Sequence, residues 1–164
     1  MLMSGIACGE GGEPSPPSTP TTYEWTLTQL TFSGCQAALP SISADGTKIA
    51  FTASVGDDDS EIYIMSSDGS GLTQLTFSGG QAFYPSITAD GTKIAFQALV
   101  DEADHEIFIV NSDGSGLTQL TSNPLEGYMP SISADGTKIA FSSSLDSSSE
   151  IFLLELVPQA SFEY

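Results

Sequence analysis

Thr28, Thr73 and Thr118 each open a copy of TQLT, Pro40, Pro85 and Pro130 each open PSI, and Asp45, Asp90 and Asp135 each open DGTKIAF. All three series advance by 45 residues. A fixed period of about 20–50 residues marks a repeat architecture, in which each unit buries its apolar surface only against its neighbours. The chain must therefore fold as a stack of like units. A residue that recurs with the unit is first of all a structural residue.

Within each unit, short runs rich in Ile, Phe, Tyr and Thr alternate with turn residues, which predicts four strands and no helix. Strand A is YPSIT and its equivalents, B is KIAFQAL, C is EIFIVNS and D is GLTQLT. An Asp-Gly pair joins A to B and is expected to supply the positive φ angles of a tight hairpin. The glycine-rich SDGSG joins C to D. Strands B and C are almost unbroken apolar runs, so both of their faces should be covered. Proline in strand A removes an N–H and places that strand at one edge of the sheet, while the wetter D strand suits the other.

A four-stranded antiparallel sheet with covered faces is a blade of a β-propeller, packed radially against its neighbours. The phrase PSISADGTKIAF followed by EIYIMSSDGSGLTQLT resembles the TolB-type propeller repeat. Ala44, Ala89 and Ala134 stand where that family most often has proline, a harmless change at a turn. The resemblance covers residues 26–156 and recurs three times. The expected fold class is all-β, with three four-stranded antiparallel repeats forming half of a six-bladed ring.

The chain contains no arginine, and its only lysines, Lys48, Lys93 and Lys138, directly follow the Asp-Gly-Thr turn. Each is expected to hold its head in water and offset the local carboxylate, as part of the blade. Strand order raises a larger question. A D-like segment, YEWTLTQLTF, comes first, and the last unit ends at EIFLLEL without a D strand. That end would be an exposed apolar edge, which proteins normally cover. Two chains joined head to tail about a two-fold axis would close six blades, each lending residues 23–32 to the other's third blade. A fragment of a longer gene and an open three-blade monomer are the alternatives.

A chain of ~150 residues buries about 70% of its unfolded surface, enough for one domain. Residues 23–164 are assigned to it. Residues 9–22, GEGGEPSPPSTPTT, have the composition of a solvated linker. Residues 1–8, MLMSGIAC, lack the basic region and the length of a secretory signal. Small residues before Cys8 and a Gly-rich tether after it nevertheless resemble the end of a bacterial lipoprotein signal, with Gly5 where that pattern usually has leucine. The expectation is an upstream start codon and a protein lipid-anchored through Cys8, periplasmic or extracellular. The alternative is a plain tail with an incidental cysteine. Elsewhere no apolar run is long enough to span a bilayer as a helix.

With 21 acidic residues against three lysines, the formal charge is −18. Such a chain has no basic stripe for a nucleic acid backbone or an anionic membrane. Two cysteines, Cys8 and Cys35, build no disulfide framework, and no Cys or His pair has zinc spacing. The sequence carries no G-x-S-x-G elbow, P-loop or H-E-x-x-H motif. His105, the only histidine, sits among carboxylates in DEADHE, and the acidic loop GDDDSE lacks the glycine and distal glutamate of an EF-hand. The expectation is a protein that is not an enzyme and needs no cofactor or metal.

Alternating strands put the A–B and C–D turns on one face and the B–C and D–A loops on the other. The first set hardly changes between units, whereas SVGDDDS, LVDEADH and SLDSSS differ, as do SGCQAAL, SGGQAFY and NPLEGYM. Binding residues concentrate on varied loops held by a rigid scaffold. The candidate surface is this second face, with Asp57, Asp58, Asp59, Asp101, Glu102, Asp104 and His105 as its charge. Phe83, Tyr84 and Tyr128 are candidate aromatic anchors, though Phe83 and Tyr84 also read as core. The resemblance implies a non-catalytic scaffold that meets a protein partner in the cell envelope. The alternatives are an accessory propeller of a hydrolase or peptidase, and a module that binds a divalent cation or a glycan.

Overall fold

The structure is a computed structural model that describes residues 24–32, 34, 36–54, 60–77, 81–100, 104–122, 126–145 and 148–157. Cys8, Cys35, Asp57, Asp58, Asp59, Asp101 and Glu102 lie outside the described residues. Three antiparallel sheets, one per repeat, make up the fold, and no helix occurs among the described residues.

The first blade is β1 (Gln36–Ile42), β2 (Lys48–Ser54), β3 (Ser60–Ser66) and β4 (Thr73–Gln74), hydrogen-bonded in that order. The second repeats it with β5 (Ala82–Ile87), β6 (Lys93–Leu99), β7 (His105–Asn111) and β8 (Thr118–Gln119). Among the described residues the third has β9 (Tyr128–Ile132), β10 (Lys138–Leu145) and β11 (Ser148–Glu155), with β11 at its edge. The prolines mark edge strands as expected. The outer strands are shorter than the GLTQLT runs, although Leu75 N–H still donates to the Ile62 carbonyl at 2.8 Å and Leu120 N–H to Ile107 at 2.7 Å.

The unbroken apolar runs of the middle strands are explained by packing on two sides. On β6, Ile94, Phe96 and Ala98 face the first blade, in one cluster with Ala50, Ile62, Ile64, Leu75, Ile87 and Val110. Ala95 of the same strand joins Ile107, Ile132, Ile139 and Phe141 toward the third blade. Strand periodicity thus sends alternate side chains into two different interfaces. Facing aromatics tie the middle strands together in every blade: Phe51 stacks on Tyr63, Phe96 on Phe108 and Phe141 on Phe152, with ring centroids 5.6–5.9 Å apart.

The A–B turn differs from the expected hairpin. Gly46, Gly91 and Gly136 have φ of 71°, 66° and 70°, but the aspartates before them are not in the left-handed region. The aspartate works instead as an acceptor. Asp90 Oδ1 takes hydrogen bonds from the Thr88 hydroxyl at 2.6 Å, the Thr92 N–H at 3.0 Å and the Thr92 hydroxyl at 2.8 Å. Asp45 and Asp135 do the same with Ser43 and Thr47 and with Ser133 and Thr137. These bonds, the side-chain one first, hold Asp90 and Asp135 at pKa about 2 and lower Asp45 as well.

The lysine expectation is corrected too. Lys48 Nζ does not turn to a carboxylate of its own turn. It crosses to the second blade and donates to the Gly91 carbonyl at 3.1 Å and to Ser112 Oγ at 3.2 Å. Its stem lies over Gly91, where an added Cβ would stand 2.9 Å from Lys48 Cδ. Lys93 crosses Gly136 in the same manner, 3.5 Å from a Cβ placed there. Lys138, whose blade has no successor among the described residues, pairs instead with a carboxylate, that of Glu155.

Candidate functional site

Inner strands β1, β5 and β9 touch in sequence, so the axial side of the unit is built from three copies of one local structure. Each carries a bulge at its proline, between Ala38 and Ser41, between Phe83 and Ser86, and between Tyr128 and Ser131 where β9 faces β10. The residue before each proline is left-handed: Leu39 at φ 53°, Tyr84 at 55° and Met129 at 51°. This conformation costs a non-glycine residue about 1–2 kcal/mol, and it overrides the extended preference of a pre-proline position. The backbone turns these three side chains outward, and all are exposed. With Pro40, Ser41, Pro85, Ser86 and Pro130 they line a groove of about 260 Å³.

A second cluster forms on the varied face between the second and third blades. Gly127 N–H donates to the His105 carbonyl at 2.6 Å, pinning the start of β9 against β7. Glycine is required there because a Cβ would meet Ile107 Cγ1 at 2.5 Å. The pinned backbone brings the Tyr128 ring within 5.3 Å of the His105 ring, tilted by 38°. Tyr128 Oη donates to Glu126 Oε2. That bond first, then burial and the charges of Glu126 and Asp104, push the phenol up to about 12, so it remains a donor throughout the neutral range. His105 Nδ1 is buried and has no hydrogen-bond partner among the described residues. Met129 N–H donates to Gln97 Oε1 at 2.8 Å, fixing the rim to the second blade.

Of the expected site residues, the structure brings together His105 and Tyr128, with Asp104 beside them. Phe83 is half-buried in β5, and Tyr84 lines the axial groove, which His105 and Tyr128 do not. Leu39 and Met129 are additions to the sequence reading. Their only signal was the residue before the recurring PSI, whose identity changes from Leu to Tyr to Met while the PSI itself repeats. Glu126 was also missed, since nothing in NPLEGYM says that its carboxylate returns to Tyr128. Among the described residues no group of three or more His, Cys, Asp or Glu is placed to hold a metal ion, and no helix is long and apolar enough to cross a membrane.

Comparison with known proteins places this geometry. The model of the TolB β-propeller domain matches residues 22–158. No curated protein matches the chain. Among solved structures, a TolB candidate from Agrobacterium tumefaciens superposes with a TM-score of 0.65 at 23% identity, over 76% of this chain and 47% of that one. TolB from Acinetobacter baumannii gives 0.62 at 25% identity, over 76% of this chain and 31% of that one. The tricorn protease gives 0.60 at 18% identity, over 76% of this chain and 14% of the protease. The chain thus spans less than half the length of each of these proteins.

Proposed function

That the chain belongs to the TolB β-propeller domain family is the premise from which we propose that it is a non-catalytic protein-binding scaffold of the cell envelope. The observation that carries this reading is the rim of Asp104, His105, Glu126 and Tyr128, built where two blades meet on the face whose loops vary. The rim offers an aromatic pair, a fixed phenol and negative charge. Flanking it in sequence are Asp101 and Glu102, with Asp57, Asp58 and Asp59 on the preceding unit's loop. Such a surface suits a partner that presents cations around an apolar or aromatic centre, with the charge steering encounter and the rings anchoring it. Phe83 and Tyr84 serve as further anchors. Periplasmic or extracellular placement, lipid attachment through Cys8, and a homodimer closing a six-bladed ring belong to the same reading.

The test uses the 164-residue chain immobilised against an envelope extract, beside a variant carrying Asp101→Asn, Glu102→Gln, Asp104→Asn and His105→Gln. The reading expects a protein that the native chain holds and the variant releases. Equal capture by both, or capture by neither, would overturn it.

A second reading has its own support. The tricorn protease contains a similar propeller segment that is a small part of a peptidase chain, so an accessory role beside a hydrolase domain is the alternative. A peptidase or hydrolase domain encoded with this segment would favour it over the scaffold.

A further inference from the structure

The contacts between successive blades form a series whose two ends are complementary. Ala44 N–H donates to the Ala89 carbonyl, and Ala89 N–H to the Ala134 carbonyl, both at 3.1 Å. Ile87 N–H donates to Ser41 Oγ at 3.2 Å, and Ile132 N–H to Ser86 Oγ at 3.0 Å. Lys48 covers Gly91 and Lys93 covers Gly136. Continuing the series past the third blade calls for an acceptor for Ala134 N–H, a donor for Ser131 Oγ and a glycine turn for Lys138. The first blade offers the Ala44 carbonyl, the Ile42 N–H and Gly46. Nothing lies within 4 Å of a Cβ placed on Gly46, whereas its two equivalents are covered.

A segment of outer-strand sequence lies beside the first blade. Residues 24–32 contribute no strand to the three sheets of the described residues, yet Leu30 packs against Phe51, Ala53 and Met65 of the first blade. Gln29 Nε2 donates to the Thr31 carbonyl at 2.9 Å, the same bond that Gln74 makes to Thr76 at 2.8 Å and Gln119 to Thr121 at 2.7 Å in the paired outer strands. The segment thus shares a local bond with the paired outer strands. In the second blade, Thr121 Oγ1 accepts from Ile107 N–H at 2.8 Å and donates to the buried Glu106 carboxylate at 2.5 Å. Thr76 does the same for Ile62 and Glu61. On β11 the corresponding Glu150 and Ile151 are exposed, and Ile151 is 78% accessible where Ile62 and Ile107 are at 0%.

We infer that the two open ends of the three-blade unit fit a second copy of the same chain, residues 28–31 of each copy forming the outer strand on β11 of the other. This gives atomic contacts to the ring-closing dimer of the proposed function and rests on that part of it alone. Register carried over from the first two blades sets Gln29 opposite Phe152 and Thr28 opposite Leu153. Thr31 then sits on Glu150. Lys138 exchanges its ion pair with Glu155 for the partner copy's Gly46 carbonyl and Ser67. Three blades at about 60° each turn through about 180°, so a two-fold axis closes the ring.

The experiment is light scattering of the 164-residue chain across a concentration range, at about 0.15–0.5 M salt to screen the repulsion between two chains of −18. The expected mass is twice 17.1 kDa. Ile151→Lys, at a site exposed in the single chain and buried in the dimer, is expected to return the mass to 17.1 kDa with unchanged circular dichroism. Thr31→Val keeps the packing of Leu30 and removes the hydroxyl, so it is expected to weaken the dimer at least about tenfold. A native chain that stays at 17.1 kDa, one that grows into head-to-tail polymers, or an Ile151→Lys variant that dimerises like the native chain would each overturn the inference. None of these outcomes bears on partner capture by the rim. Loss of that capture would leave the dimer's mass unchanged.

Discussion

Among the described residues the second blade is covered on both faces and the third on one, although Ile107 and Ile151 occupy the same place in the same EIF phrase. In the second blade Glu106 is buried under a threonine of the outer strand and Ile107 is fully enclosed. In the third the equivalent glutamate and isoleucine face outward. The EIF phrase itself does not distinguish the two; the outer-strand sequence that follows it in the second blade does. The difference shows that a blade's energetics belong to its neighbours, as expected for a stack in which each unit cannot bury its own core.

Cutting both isoleucines back to alanine should distinguish the two blades. Ile107→Ala is expected to lower stability by about 2–5 kcal/mol, as for a fully enclosed aliphatic side chain. Ile151→Ala should cost less than about 0.5 kcal/mol when measured at a dilution where the chain is monomeric. Urea unfolding followed by circular dichroism reads both. Equal losses would mean that β11 is covered in solution in a way the described residues do not show.

A smaller effect is expected from the lysines. Lys48→Met removes two charge-assisted hydrogen bonds to the next blade and should cost about 1–2 kcal/mol. Lys138→Met removes an exposed pair with Glu155, both side chains about half accessible, and should cost under about 0.5 kcal/mol in the monomer. If the two variants unfold at the same urea concentration, the cross-blade role of Lys48 is wrong.

Much of this was legible in the sequence because the repeat states it three times. The 45-residue spacing, the four strand types, the proline edge and the unpaired ends follow from patterns that need no tertiary information. The reach of Lys48 was not legible, because it depends on the angle between blades and not on any run of residues. The left-handed Leu39, Tyr84 and Met129 were hidden by a local rule that points the other way: a residue before proline prefers extended backbone, and the bulge overrides it. His105 and Tyr128 were both on the candidate face, but their contact required Gly127 to press the chain against Ile107. The aspartate of the turn was placed correctly and given the wrong task. Asp-Gly suggested backbone geometry for both residues, and only the glycine supplies it.

That aspartate also shows where the contrast between blades should vanish. Asp90 in the enclosed blade and Asp135 in the open one accept the same three hydrogen bonds, all from residues of their own turn, and both are held at about 2. A carboxyl whose pKa is lower in the folded than in the unfolded chain stabilises the fold in its ionised form. The contribution is fully present above the unfolded value of 3.8 and is lost as pH falls toward about 2. Thermal unfolding of Asp90→Ala and Asp135→Ala beside the native chain should therefore show a lower Tm for both at pH 6, with the gap closing between about pH 4 and 2. Protonation of the other carboxylates relieves the repulsion of a chain at −18, but it does so in native and variant alike and cancels in the difference. The two variants should lose the same amount, since the three bonds each aspartate accepts stay within its own turn. A gap that closes for Asp90→Ala and stays open for Asp135→Ala would show that the open edge loosens the turn as well, and that the local bonds are not sufficient to hold it.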